Sequence, residues 1–127
     1  METPHKELTN KIIGAAIEVH RSLGPGLLEH VYQVALDYEL RQAGLNSQRE
    51  VPLPIIYKGI ALDISYRADI IVENEVIVEL KATENLTGLH EKQLLTYLRI
   101  AHKRVGLLIN FNEETLIKGI RRVINGY

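Results

Sequence analysis

The stretch RADIIVENEVIVELK, Arg67 to Lys81, decides how the chain is read. Two β-branched runs are separated by Glu73, Asn74 and Glu75, and Asn tolerates the left-handed backbone that a short hairpin loop requires. With those residues as the loop, Val72 pairs with Val76, Ile71 with Ile77 and Ile70 with Val78, which sets Asp69 opposite Glu79. A two-residue loop would shift the register by one and send Asp69 to the other face. Alternation along the second strand puts Glu79 and Lys81 on one face with Ile77, and Val76, Val78 and Leu80 on the other. Opposed Cβ atoms on antiparallel strands lie about 5 Å apart, so two facing carboxylates destabilise a sheet unless positive charge sits between them. Lys81 supplies one charge. A divalent cation held by oxygen ligands would supply the rest, since Mg²⁺ takes one or two carboxylates together with waters and phosphate oxygens. The plain alternative is an ion pair on a solvated edge strand.

Outward from the hairpin, the periodicity changes. From Pro4 to Leu23, apolar Leu8, Ile12, Ala15, Ala16, Val19 and Leu23 recur at helical spacing, with Thr3 as the expected cap. Leu-Gly-Pro-Gly, Leu23 to Gly26, breaks that helix, and a second runs from Leu27 to Ala43 until Gly44 stops it. Strands are expected over Ser47–Leu53, Ile55–Tyr57 and, after a Lys58-Gly59 turn, Ile60–Ile64, with Pro52 and Pro54 indicating an edge or a bend. The hairpin strands follow at Tyr66–Val72 and Val76–Lys81, then a helix from Asn85 to Ala101 and a buried strand within Arg104–Phe111. Acids at its start and Arg121 and Arg122 near its end suggest a closing helix over Glu113–Asn125. The order implies an α/β (α+β) domain, a mixed central sheet flanked by helices.

Composition bounds the chemistry. The chain has 127 residues, 46% of them hydrophobic, which suits one domain spanning residues 1–127. It contains no cysteine, so any metal must be held by carboxylate, carbonyl or histidine ligands, which favours a hard cation. No run approaches the roughly 20 apolar residues of a bilayer-spanning helix, and Met1 to Asn10 has no apolar signal core, so a cytoplasmic protein without membrane contact is expected. The net charge of −1 hides an asymmetry. Residues 1–80 carry 7 Lys and Arg against 12 Asp and Glu, giving −5, while residues 81–127 carry 8 against 4, giving +4. An acidic cluster beside a basic third suits a polyanion bound across a metal site.

Asp69, the Glu79-Leu80-Lys81 triplet and the order helix, three strands, helix, strand resemble the PD-(D/E)xK nuclease superfamily and its restriction-endonuclease-like αβββαβ core, here with an extra N-terminal helix and a C-terminal helix. GLLEHVY, Gly26 to Tyr32, is similar to the signature of the prokaryotic GxxExxY proteins, and QLLTY, Gln93 to Tyr97, resembles the Gln-x-x-x-Tyr element of RecB-like nucleases. Ala68 stands where the superfamily's name has proline.

The resemblance implies that Glu29, Asp69, Glu79 and Lys81 are catalytic. It implies a Mg²⁺ or Mn²⁺ ion on Asp69 and Glu79 with the Leu80 backbone carbonyl as a further ligand, and Glu29 completing the site or binding a second ion. Tyr32, Gln93 and Tyr97 would support. Lys81 would orient the water, stabilise the transition state or act as base. Arg99, Lys103, Arg104, Arg121 and Arg122 are candidates to track phosphates of DNA or RNA. His30, His90 and His102 lack ligand spacing and read as surface residues. A chain this small has little surface to grip a duplex, so a homodimer or protein partner is a natural complement. Two other functions compete: a silent nuclease fold kept as a nucleic-acid-binding or protein-interaction module, and glycoside hydrolysis by Asp69 and Glu79. The last is disfavoured because the chain has no tryptophan to stack on a sugar.

Overall fold

A computed structural model describes residues 3–126. Helices α1 (Lys6–Leu23) and α2 (Glu29–Gln42) precede strands β1 (Ser47–Tyr57), β2 (Ile60–Val72) and β3 (Val76–Lys81); α3 (Gly88–Ala101) then leads to β4 (Val105–Asn110), a 3₁₀ turn (Leu116–Gly119) and β5 (Ile120–Ile124). The strands form one sheet in the order β1-β2-β3-β4-β5. Only β3 and β4 run parallel, joined by α3 as the crossover.

β3 and β4 are buried on both faces, which is why VIVEL and VGLLI read as nearly unbroken apolar runs. Ile12, Ala16, Leu36 and Leu40 of α1 and α2 cover one face, against Ile70, Val78 and Leu107. Leu94 and Leu98 of α3 cover the other, against Ile71, Ile77 and Leu108. Gly106 permits that approach, since a Cβ there would lie 2.9 Å from Leu94 Cδ1 and 3.1 Å from the Ile77 carbonyl.

The β2–β3 hairpin has the register expected from its loop: Val72 pairs with Val76, Ile71 with Ile77 and Ile70 with Val78. Glu73 and Asn74 both take positive φ, and the Glu75 N–H donates to the Val72 carbonyl, leaving Glu75 as the extra residue that fixes the register. From Ile60 to Ala68, β2 pairs with β1 alone, so the two strands form a ribbon running past the end of β3.

Several boundaries differ from the sequence expectation: α2 starts at Glu29 rather than Leu27, and the strands expected over Ile60–Ile64 and Tyr66–Val72 run on as the single strand β2. The closing helix is absent: Glu113–Asn125 holds the 3₁₀ turn and β5, antiparallel to β4. Ile120, Val123 and Ile124 are β-branched and prefer the sheet, where Ile120 packs on one face and Val123 on the other. The strand also pairs the otherwise open edge of β4. α1 starts at Lys6 rather than Pro4, because His5 takes a left-handed φ of 53° in place of a Thr3 cap. α3 starts at Gly88, where Thr87 and His90 form a reciprocal capping box. β1 runs unbroken through Pro52 and Pro54 as an edge strand, with the predicted irregularity reduced to a register shift between Pro54 and Ile56.

Candidate active site

The ladder between β2 and β3 stops at Ile70 and Val78, one pair short of Asp69 and Glu79. β1 and β2 are distorted at the same level: Glu50, in register with Asp69, takes a φ of 53° and drops out of the pairing. The two carboxylates take over the ladder's hydrogen bonds. The Asp69 N–H donates to Glu79 Oε1 at 2.9 Å, and the Leu80 N–H donates to Asp69 Oδ2 at 2.8 Å. Each acid thus grips the other's strand where the backbones part.

Glu79 is 8% exposed. Burial and the Asp69 carboxylate push its pKa from 4.5 up to about 8, against the opposing pull of the Asp69 N–H and Lys81. Burial also raises the Asp69 carboxyl, opposed by the Leu80 N–H, Lys81, a hydrogen bond from Glu79, and Arg67. Burial thus pushes both carboxyls toward the protonated form, Glu79 up to about 8, and a side-chain hydrogen bond links the two. Lys81, half-buried at the end of β3, is the nearest lysine acting on both acids.

Glu29 comes to the same place from the other layer, at the first position of α2. Partial burial raises its pKa while Lys81, the Ala82 backbone and His90 lower it and Asp69 raises it, so it belongs to the same electrostatic cluster. Tyr32 explains the spacing that sets Glu29 there. It is fully buried, stacks on Phe111 with ring centroids 4.5 Å apart, donates its hydroxyl to the Gly24 carbonyl at 2.5 Å and accepts the Leu27 N–H at 3.1 Å. The tyrosine fastens the α1–α2 turn, and so fixes where α2 begins.

α3 lines the site's open side. Tyr97 is half-buried, and its hydroxyl is pushed up by burial and then by Glu79, Asp69 and Tyr66. Its ring packs 5.2 Å from that of Tyr66, on the β2 ribbon. Gln93 lies exposed one turn earlier. His90 reads as surface from sequence, yet it stands beside Glu29, and its Nδ1 accepts the Thr87 N–H at 3.1 Å. The Thr-x-x-His spacing, in the place of a Thr-x-x-Glu capping box, was its available signal. Tyr66 and Asn110 are further residues that sequence reasoning missed. Asn110 is fully buried, accepting from the Thr83 N–H and donating to its carbonyl, which holds the chain beyond Lys81 against β4.

With that geometry in view, the sequence matches the PD-(D/E)XK nuclease superfamily over residues 6–123. The chain belongs to this superfamily. Among solved structures, the crystal structure of SSO0001 is similar in fold, at a TM-score of 0.61 and 19% identity, covering 97% of this chain. The chain spans 61% of that protein's length. No curated protein matches significantly. Membership accords with the five-stranded α/β fold.

Members of the PD-(D/E)XK superfamily usually use divalent metals. Asp69 Oδ2 and Glu79 Oε1 each accept a backbone N–H, and a side-chain hydrogen bond links the two carboxyls. A cation in place of that bond's proton would face hard carboxylate oxygens only, which fits an ion completing its shell with water, carbonyl or phosphate. Among the described residues no group of three or more His, Cys, Asp or Glu side chains is gathered to hold a metal.

The basic residues divide. Arg99 sits in the last turn of α3, and Lys103 and Arg104 just before β4, where Lys103 Nζ meets Asn74 Oδ1 of the hairpin loop at 3.1 Å. Val105 pairs with Val76 at the opposite end of β3 from Lys81, about 16 Å away along the strand. The structure does not bring those three to the acids. Arg122 is held by Thr9 and Asn10 of α1. Arg121 pairs with Leu108, which pairs with Glu79, so it shares that row and face, its Nε 3.6 Å from Glu91. Arg67, not expected as part of the site, acts on Asp69.

Proposed function

We propose that this protein is a Mg²⁺- or Mn²⁺-dependent nuclease hydrolysing phosphodiester bonds of DNA or RNA. The observation that carries the reading is the Asp69–Glu79 pair, buried where two strands part, each acid accepting a backbone N–H of the other's strand, beside Lys81 and Glu29. A sheet retains such a pair at a cost in stability, and a site that exchanges a proton for a cation gives that cost a purpose.

Asp69 and Glu79 would hold such an ion, with the Leu80 backbone carbonyl as a further ligand. The chemistry supplied there would be a water of lowered pKa and an offset to the charge of the scissile phosphate. Lys81, two residues from Glu79 and on its face, would orient a water or meet the charge developing on the phosphate. Glu29 would position a water or contribute to a second ion, and Tyr32 positions Glu29 through the turn it fastens. Tyr97 and Gln93 line the approach. Arg67 and Arg121 are better placed for phosphate contact than Arg99, Lys103 and Arg104. The likeness of Gly26–Tyr32 to the GxxExxY signature supports a place in that group and a prokaryotic, cytoplasmic setting; no described helix is long and apolar enough to cross a membrane.

Labelled single- and double-stranded DNA and RNA, incubated with Mg²⁺ or Mn²⁺ and with chelator, test the reading. Metal-dependent cleavage abolished by chelator supports it. Binding to nucleic acid with no cleavage of any substrate would favour the silent binding module.

A further inference from the structure

The β1–β2 ribbon has two edges of different character. Its outer edge, along β1, carries Pro52 and Pro54, which offer no N–H and so discourage a further strand. Its inner edge, β2 from Ile60 to Ala68, contains no proline and pairs with no strand on that side among the described residues. Ile60 is 63% exposed and Ile64 68%. An isolated two-stranded ribbon is marginally stable in water, and open edges are normally blunted or covered.

The sequence of the open edge complements itself. Asp63-Ile64-Ser65-Tyr66-Arg67, laid antiparallel against a second copy about a twofold axis at Ser65, sets Asp63 opposite the second copy's Arg67, Ile64 opposite its Tyr66, and Ser65 opposite its Ser65. Both directions then contain an opposite-charge pair and an aromatic–β-branched pair. A one-residue slip puts Asp63 against Tyr66 or Ala68 and loses both ion pairs. The one ion pair Arg67 makes among the described residues, with Glu50, is 4.0 Å long and solvent-exposed, and such pairs contribute little, so Asp63 of a second copy would compete for it with Glu50 and with the pull of Asp69.

We propose that the protein forms a twofold homodimer by antiparallel pairing of the β2 edge from Asp63 to Arg67, making one four-stranded ribbon from two arms. The interface is small, so its dissociation constant falls roughly in the micromolar range. Asp69 of each copy lies four residues from the axis, which spaces the two carboxylate pairs by about 27 Å along the ribbon.

The absence of cysteine makes the test direct. Opposed residues of antiparallel strands have Cα atoms about 4.5 or 5.5 Å apart, both within disulfide range. Ser65→Cys should therefore oxidise to a covalent dimer, whereas Gln48→Cys, exposed on the outer strand, should not at equal concentration. Sedimentation then tests the charges. Asp63→Arg and Arg67→Asp should each weaken the dimer by about tenfold or more, and an equimolar mixture of the two should dimerise, since each variant then meets its complement. Circular dichroism confirms that both variants are folded. A wild-type protein that stays monomeric up to about a hundred times the micromolar range would overturn the proposal and leave the edge to another partner. Equal crosslinking at Ser65→Cys and Gln48→Cys, or a mixture no more associated than its components, would overturn it as well.

Discussion

Replacing Glu79 by Gln, with metal removed, should make the protein more stable. The amide keeps both contacts of the protonated acid, accepting the Asp69 N–H and donating to the Asp69 carboxylate. What it removes is the proton that the native state must take up. The Glu79 pKa is raised from 4.5 to about 8, so the native state binds more protons than the unfolded one between those values, and stability falls as pH rises through that window. The contribution of Glu79 is fully present below pH 4.5 and lost as pH passes 8. Relative to wild type, Glu79→Gln should therefore gain almost nothing at pH 4. At pH 7 the gain is about 3 kcal/mol, and above pH 8 it levels off near 5 kcal/mol, at about 1.4 kcal/mol per unit. For a chain of this size the pH 7 figure corresponds to a rise in Tm of roughly 10 °C. Urea denaturation in chelator at a series of pH values measures it. A gain that is the same at pH 5 and pH 8, or a variant less stable than wild type at pH 7, would refute the shared-proton arrangement.

Lys81→Met should bind Mn²⁺ by calorimetry with affinity near that of wild type while cleaving about a hundredfold more slowly or worse, as expected for loss of a positioned charge at the reacting phosphate; equal rates would remove Lys81 from the chemistry. Tyr32→Phe deletes the hydroxyl shared by the Gly24 carbonyl and the Leu27 N–H, so it should cost about 1–2 kcal/mol in denaturant melts. It should also lower the cleavage rate through Glu29, and an unchanged rate in a destabilised variant would confine the tyrosine to folding. Gly106→Ala should cost about 1–3 kcal/mol, because its Cβ would meet Leu94 and the Ile77 carbonyl; a neutral thermal melt would mean that α3 yields freely.

The hairpin was legible because alternating β-branched residues on both sides of Glu73-Asn74-Glu75 allow only one register that buries Ile71 and Ile77 together. That register brought Asp69 and Glu79 together in the sequence as in the structure. The mode of contact was not legible. It depends on a positive φ at Glu50, a residue whose type gives no hint of it, and on strands that part before the acids can pair as neighbours. Glu29 could be placed only by resemblance, since nothing local in GLLEHVY says that Tyr32 will fold the turn back and present the helix start to β3. The C-terminal segment misled because Glu113, Glu114, Arg121 and Arg122 imitate the charge order of a helix. The β-branched Ile120, Val123 and Ile124 answer instead to the open edge of β4. Charge alone also marked Arg99, Lys103 and Arg104 as candidates to track phosphates, and composition does not tell that they lie at the end of β3 away from the acids.

The central claim is that Asp69 and Glu79 exchange one proton for one divalent cation, and proton release on binding measures it directly. Mn²⁺ titrations in buffers of different ionisation enthalpy give the number of protons released per ion. With Glu79 titrating at about 8, close to one proton should leave per ion at pH 7 and almost none at pH 10, with both binding and release lost in Asp69→Ala. Tight Mn²⁺ binding at pH 7 without proton release, or unchanged binding in Asp69→Ala, would contradict the account.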